Sequence, residues 1–126
     1  MIMITGGAFQ GKREFAKQRF GLSDSDIING GSCEIPELAN ARCIVNYELA
    51  VKHLISENID PLAFTKKLNC DIVIMNEIGC GIIPLEKSER EWREMTGRAG
   101  CIIAENAEAV YRVCCGIATI IKGEEI

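Results

Sequence analysis

Eight residues near the start of the chain, Gly6-Gly7-Ala8-Phe9-Gln10-Gly11-Lys12-Arg13, carry the spacing G-x-x-x-x-G-K of a phosphate-binding loop. The chemistry depends on that spacing. Peptide N–H groups of a glycine-rich turn point inward at an anion, and the helix that follows adds its positive end. Gly6, Gly7 and Gly11 admit close approach where a side chain would clash. Lys12 stands where its ammonium can curl back to β- and γ-phosphates. The expected ligand of residues 6–13 is a phosphate group. Arg13 departs from the pattern, because a hydroxyl residue that ligates Mg2+ usually follows the lysine. Arginine offers five donors and a fixed positive charge, and no lone pair for a cation. Two outcomes are open. Mg2+ is held through water and a carboxylate elsewhere, with Arg13 turned to solvent, or Arg13 replaces part of the metal's charge at the phosphates. Either way the metal's role is weakened.

A phosphate loop works at the carboxyl ends of strands in an α/β sheet, so other groups at those ends matter most. After the apolar run Ile72–Met75 come Asn76 and Glu77, and after Arg42–Val45 comes Asn46. Glu77 reads as the one carboxylate directly at such an end. It is a candidate for holding Mg2+ or accepting a proton from a substrate hydroxyl. The alternative is that it ties the following loop, "GCGIIP", by accepting backbone N–H bonds. Asp26 and Asp71 fall at the opposite ends and are poor candidates. Arg98 is a supporting candidate, with a surface salt bridge as its alternative reading.

Elements of alternating type must position these groups. Ile2–Thr5 reads as a buried strand and Gly11–Phe20 as a helix, with Phe15, Ala16 and Phe20 on one side and Gly21 as a stop. Asp26–Asn29 and Arg42–Val45 are short strands. Tyr47, Ala50, Val51, Leu54 and Ile55 keep the spacing of one helical face, with a Glu48/Lys52 pair expected on the outer face. Asp60-Pro61 starts another helix. Asp71–Asn76 is a buried strand. Ser88 is the expected cap of a long helix with Trp92, Met95, Ala99, Ile102 and Ile103 inward and Glu89/Arg93 and Arg90/Glu94 pairs outward. Val110–Cys115 and Ala118–Lys122 are too closely linked for a crossover and should pair antiparallel. The order predicts a mostly parallel sheet between two helical layers, closed by an antiparallel C-terminal edge hairpin. Glu124-Glu125-Ile126 reads as a frayed tail.

The chain has 126 residues, which suits a single nucleotide-binding domain over 1–126. A net charge of −4 argues against a general nucleic-acid binder, although a local anion site remains compatible with it. No apolar stretch approaches a membrane helix, and no secretory signal is visible. Seven cysteines, an odd count without a CxxC pair, accompany one histidine. That gives no support to a zinc site and suggests thiols that are mostly buried and reduced, in the cytoplasm.

Three stretches, "MIMITGGAFQGK", "VIMNEIGCGIIP" and "GRAG…AENAEAVYRVCCGIATIIKG", resemble the adenosylcobinamide kinase / adenosylcobinamide-phosphate guanylyltransferase family. Thr5–Arg13, Asn76–Pro84, Gly97-Arg98 and Val110–Lys122 carry the likeness, and the N-E-x-G-x-G-x-x-P element is its most specific part. The resemblance implies a RecA-like P-loop fold, a homo-oligomer and a place in cobalamin assembly. It implies phosphoryl transfer from ATP or GTP to the aminopropanol hydroxyl of cobinamide, then guanylylation through a histidine–GMP intermediate. Lys12 and Glu77 would be the catalytic groups, with Asn76, Arg98 and Asn46 supporting. The sequence departs from the pattern in being short through its middle, in Arg13, in Asn46 where an acid would end the strand, and in lacking the expected histidine. His53 sits in "NYELAVKHLISEN", which does not match that motif, and reads as a solvated helix residue. A reduced kinase without guanylyl transfer is therefore the expected function. The competing expectations are a regulatory module that holds nucleotide or corrinoid without turnover, and a subunit that keeps the fold for assembly only.

Overall fold

The computed structural model describes residues 1–78 and 86–124. Strand β1 (Ile2–Gly6) leads through the glycine-rich loop into α1 (Lys12–Phe20); then follow β2 (Ile27–Asn29), α2 (Ile35–Leu38), β3 (Cys43–Val45), α3 (Tyr47–Ser56), α4 (Pro61–Lys66), β4 (Ile72–Asn76), α5 (Lys87–Asn106), β5 (Ala109–Cys114) and β6 (Ile117–Lys122). They form one six-stranded sheet in the order β2-β3-β4-β1-β5-β6. The pairings β1–β4, β1–β5, β2–β3 and β3–β4 are parallel, and only β6 runs antiparallel, beside β5. This is the expected three-layer α/β fold of the P-loop type, with its edge hairpin.

Strand periodicity decides which side chains meet which layer. Ile2, Ile4, Cys43, Val45, Ile72, Ile74, Ala109, Tyr111 and Val113 pack with Ala16 of α1 on one face. Met3, Ile44, Val73, Met75 and Val110 pack with α3 and α5 on the other, through Tyr47, Ala50, Val51, Ala99 and Ile103. Each of these large side chains taken fully from water contributes roughly 1.5–3 kcal/mol. Sequence signals at the helix ends hold: Gly21 closes α1 at φ 64°, and Asp60 accepts from the Leu62 amide at the start of α4.

Several expectations need correction. Asp26 lies in a 3-10 turn, Asp24–Asp26, where it caps with Ser23, so β2 begins a residue later. Helix α2 was not expected; Pro36 in its first turn suits such a short element. Helix α5 begins at Lys87 after Glu86, which places Ser88 inside the helix. Glu48 is not on an outer face: it is 3% exposed and turned toward β4. Lys52 pairs instead with Glu89 at 3.3 Å and lies over the Trp92 ring. The thiols are not mostly buried. Cys43 and Cys70 are, and burial pushes both up to about 12, but Cys101, Cys114 and Cys115 are exposed. The "GCGIIP" loop with Cys80, and residues 125–126 of the tail, lie outside the described residues. No described helix is long and apolar enough to cross a membrane.

Tyr111 sits against Phe15 and Phe20, with ring centroids 5.2 and 6.2 Å away. Its hydroxyl is buried and has no partner among the described residues. A desolvated, unpaired hydroxyl costs free energy that a hydrogen atom does not. Tyr111→Phe should therefore raise unfolding stability by about 1 kcal/mol. Urea titration checks it: the midpoint should rise with the slope unchanged.

Candidate functional site

The loop after β1 is built as a cup with fixed walls. Gly6 ends the strand at φ 150°, and a Cβ there would run into the Val113 carbonyl of the neighbouring strand. Gly11 precedes α1 at φ 91°, in a conformation that favours glycine. The ammonium of Lys12, a residue only 7% exposed, donates to the Gly7 carbonyl at 2.6 Å and so closes the loop on itself. Burial lowers the Lys12 pKa, while the charges of Glu48 and Glu77 raise it. The pKa still falls on balance, so the two carboxylates offset burial only in part, which is the condition a bound phosphate relieves.

The edge hairpin braces this loop from behind. Its two-residue turn, Cys115 at φ 51° and Gly116 at φ 77°, has both central residues at positive φ, as tight hairpins prefer. The Cys115 amide donates to the Gln10 side-chain carbonyl at 2.6 Å, and the Gly116 amide to the Gln10 backbone carbonyl at 2.9 Å. Phe9, between the two anchored points, is fully exposed and held at φ 59°. Nothing in the sequence spacing signalled that residues 115 and 116 support residue 10.

In front of the loop lies an open cavity of about 360 Å³. Ala8 to Glu14 line it with Val45 and Asn46 at the end of β3 and Ile74 and Asn76 at the end of β4. The structure thus brings Lys12, Arg13, Asn46 and Asn76 around one space. Arg13 leans away from the loop toward Asp24, at 3.4 Å, beside the closer Lys17–Asp24 pair. Asn46 starts α3 in the left-handed conformation at φ 56°, which asparagine tolerates. Its amide donates to Asn29 at 3.1 Å, locking the ends of β2 and β3 together.

Glu77 is held from β5, across the intervening β1. Arg112 donates to both of its oxygens, Nε at 2.8 Å and Nη2 at 3.2 Å. Those bonds keep its pKa below the usual carboxylate range. Glu48 is the carboxylate that sequence reasoning misplaced. From α3 it accepts the Asn76 backbone amide at 3.0 Å and the Asn76 side-chain amide at 3.2 Å. Trp92 of α5 donates to the Glu48 carbonyl at 2.7 Å and fixes that turn of helix. Arg112 and Glu48 were legible only as a charged residue within an apolar strand and a helical acid next to the inward-facing Tyr47. Arg98 does not join the cavity; it pairs with Glu94 at 2.8 Å on the exposed face of α5. His53 is partly exposed and lies 3.8 Å from Glu57, as a surface helix residue would. Asp26 and Asp71, the two acids read as poor catalytic candidates, both face Arg42.

Mg2+ fits poorly here as a protein-held ion. Arg13 occupies the hydroxyl position, and Glu48 and Glu77 are each engaged by donors. No group of three or more acidic, cysteine or histidine side chains among the described residues could hold a metal.

A second cavity, of about 260 Å³, opens at the same edge of the sheet on the α5 side. Met3, Thr5, Met75, Asn76, Glu77, Ile78, Thr96, Gly97 and Gly100 line it, so Asn76 touches both spaces.

Residues 38–121 match the model of a protein family described as cobinamide kinase / cobinamide phosphate guanyltransferase. The match takes in Asn46, Glu48, Asn76, Glu77, Arg98 and Arg112, and the loop of residues 6–13 falls outside it. A comparison with curated proteins returns no match.

Proposed function

Because this chain belongs to the cobinamide kinase / cobinamide phosphate guanyltransferase family, we propose that it is a nucleotide-binding protein of cobalamin biosynthesis that works as a reduced cobinamide kinase. The observation that carries the reading is the buried Lys12 ammonium, closed over a glycine loop at the end of the central strand. ATP or GTP places its phosphates against the amides of Gly7 to Lys12, and Lys12 exchanges the Gly7 carbonyl for phosphate oxygens. The acceptor hydroxyl oxygen attacks the γ-phosphorus; the bond from that phosphorus to the β-bridging oxygen breaks, and the nucleoside diphosphate leaves. The hydroxyl proton passes to Glu77 and then to water. A carboxylate held by Arg112 is a weak base that enters the step ionised and takes the proton only in passing. That suffices in a loose transition state, where positioning and charge stabilisation dominate. Guanylyl transfer is not proposed, because His53 lies on the outer part of α3 and does not line the loop cavity.

The competing reading, a binding module without turnover, is favoured by Arg13 and by the engaged carboxylates. The exposed Ile117 and Ile121 on the edge strand support a homo-oligomer under either reading. Calorimetric titration with ATP and GTP, with and without Mg2+, followed by a phosphoryl-transfer assay on cobinamide, separates the two. Product formation supports the kinase. Metal-independent binding without product supports the module, and no binding of either nucleotide sinks both. Arg13→Ser restores the missing hydroxyl, and the Mg2+ dependence of nucleotide binding should then rise. An unchanged dependence would mean that Arg13 does not occupy the metal's place.

A further inference from the structure

Helix α5 carries Gly97 and Gly100 in its interior, where each is a poor helix former compared with alanine. Packing does not demand them. A Cβ on Gly97 would meet nothing within 4 Å, and one on Gly100 would make ordinary contacts with Met75 and Met3 at 3.6–3.9 Å. Both line the cavity on the α5 side of the sheet. Thr96 lines it as well. It is 2% exposed, and its hydroxyl has no hydrogen-bond partner among the described residues. A buried, unsatisfied hydroxyl beside unfilled space calls for a partner that arrives with a ligand. The remaining walls are mostly apolar apart from Thr5, Asn76 and Glu77, and Asn76 is shared with the loop cavity.

We infer that this cavity receives the acceptor's reacting arm: a short, largely aliphatic chain with an amide and a terminal hydroxyl, seated against Thr96, Gly97 and Gly100. The inference rests on the kinase reading for the identity of the acceptor. The volume of about 260 Å³ is too small for a macrocycle and suited to such an arm. Seated there, the arm's terminal hydroxyl lies near Glu77 and is directed past Asn76, which lines both cavities, toward the phosphates. Glycine at 97 and 100 leaves room for the arm that a larger residue would fill.

Equilibrium dialysis of the full chain with cobinamide, read by corrinoid absorbance with and without ATP, tests this. Gly97→Leu fills the cavity from a position with free space around it. It should weaken cobinamide binding about tenfold or more, with ATP affinity unchanged and thermal stability unchanged or raised. Thr96→Val should weaken cobinamide binding about tenfold by removing one hydrogen bond, and Thr96→Ser should restore it. N-(2-hydroxypropyl)propanamide, a mimic of the arm alone, should compete with cobinamide in the wild type and not in Gly97→Leu. Full cobinamide affinity in both Gly97→Leu and Thr96→Val would overturn the inference, as would a wild-type chain that binds ATP but no cobinamide. Cobinamide binding that Gly97→Leu abolishes would uphold the cavity even if ATP failed to bind, so the two readings fall separately.

Discussion

Lys12→Ala should abolish nucleotide-dependent chemistry while leaving the fold as stable as before, or more so. The ammonium sits at a residue 7% exposed and has one protein partner, the Gly7 carbonyl at 2.6 Å. Desolvating it costs more than one neutral hydrogen bond returns, which is also why burial leads the causes that lower its pKa. Removing it lifts that cost in the free protein. In the nucleotide complex the balance reverses, because phosphate oxygens supply charge-assisted bonds. Losing such a bond should raise the nucleotide Kd about tenfold to hundredfold, and losing charge stabilisation in the transition state should cut turnover by about 10²–10³-fold. Titration calorimetry, single-turnover assays and a thermal melt check the three parts. A variant that bound triphosphate as tightly as the wild type would show that the loop does not hold phosphate through Lys12.

The positions of Lys12 and its loop were legible because the signal is local. An apolar strand, a glycine turn and a helix start follow one another within the first twenty residues, and no distant contact is needed to read them. The edge hairpin was legible for the same reason: two strands with almost nothing between them cannot cross over. What was not legible depended on residues far apart in sequence. Glu48 forms a plausible surface pair with Lys52 by helical spacing. Only the packing of α3 against β4 shows that Glu48 faces inward, where two donors of Asn76 meet it. Glu77 was placed correctly at a strand end. Its partner, however, comes from β5, through the parallel register that sets Arg112 opposite Thr5. The bracing of Gln10 by Cys115 and Gly116 links the two ends of the chain, and no spacing rule reaches across that distance.

Glu48→Ala should be the most damaging single change at the site for folding, and it should also reach the chemistry through Lys12. The carboxylate accepts the backbone and side-chain amides of Asn76 in a place that water does not reach freely. Truncation leaves two donors unpaired, at about 1–3 kcal/mol each, so a loss of about 2–6 kcal/mol is expected. Glu48→Gln keeps the volume and one acceptor but turns an NH2 toward the second donor, so it should fall between. The functional consequence follows from charge. Burial lowers the Lys12 pKa and Glu48 is the first of the charges opposing it. Neutralising Glu48 removes that opposition, and the Lys12 pKa falls further. Nucleotide binding needs the ammonium form, so affinity is lost as pH rises through that pKa. In Glu48→Gln the alkaline limb of the affinity profile should therefore move to lower pH. Nucleotide titration across a pH series, on protein still folded by circular dichroism, reads the shift. A purely structural Glu48 would lower the melting temperature and leave the limb where it is in the wild type; a limb displaced toward neutral pH would mark Glu48 as the buried counter-charge that keeps Lys12 protonated for phosphate.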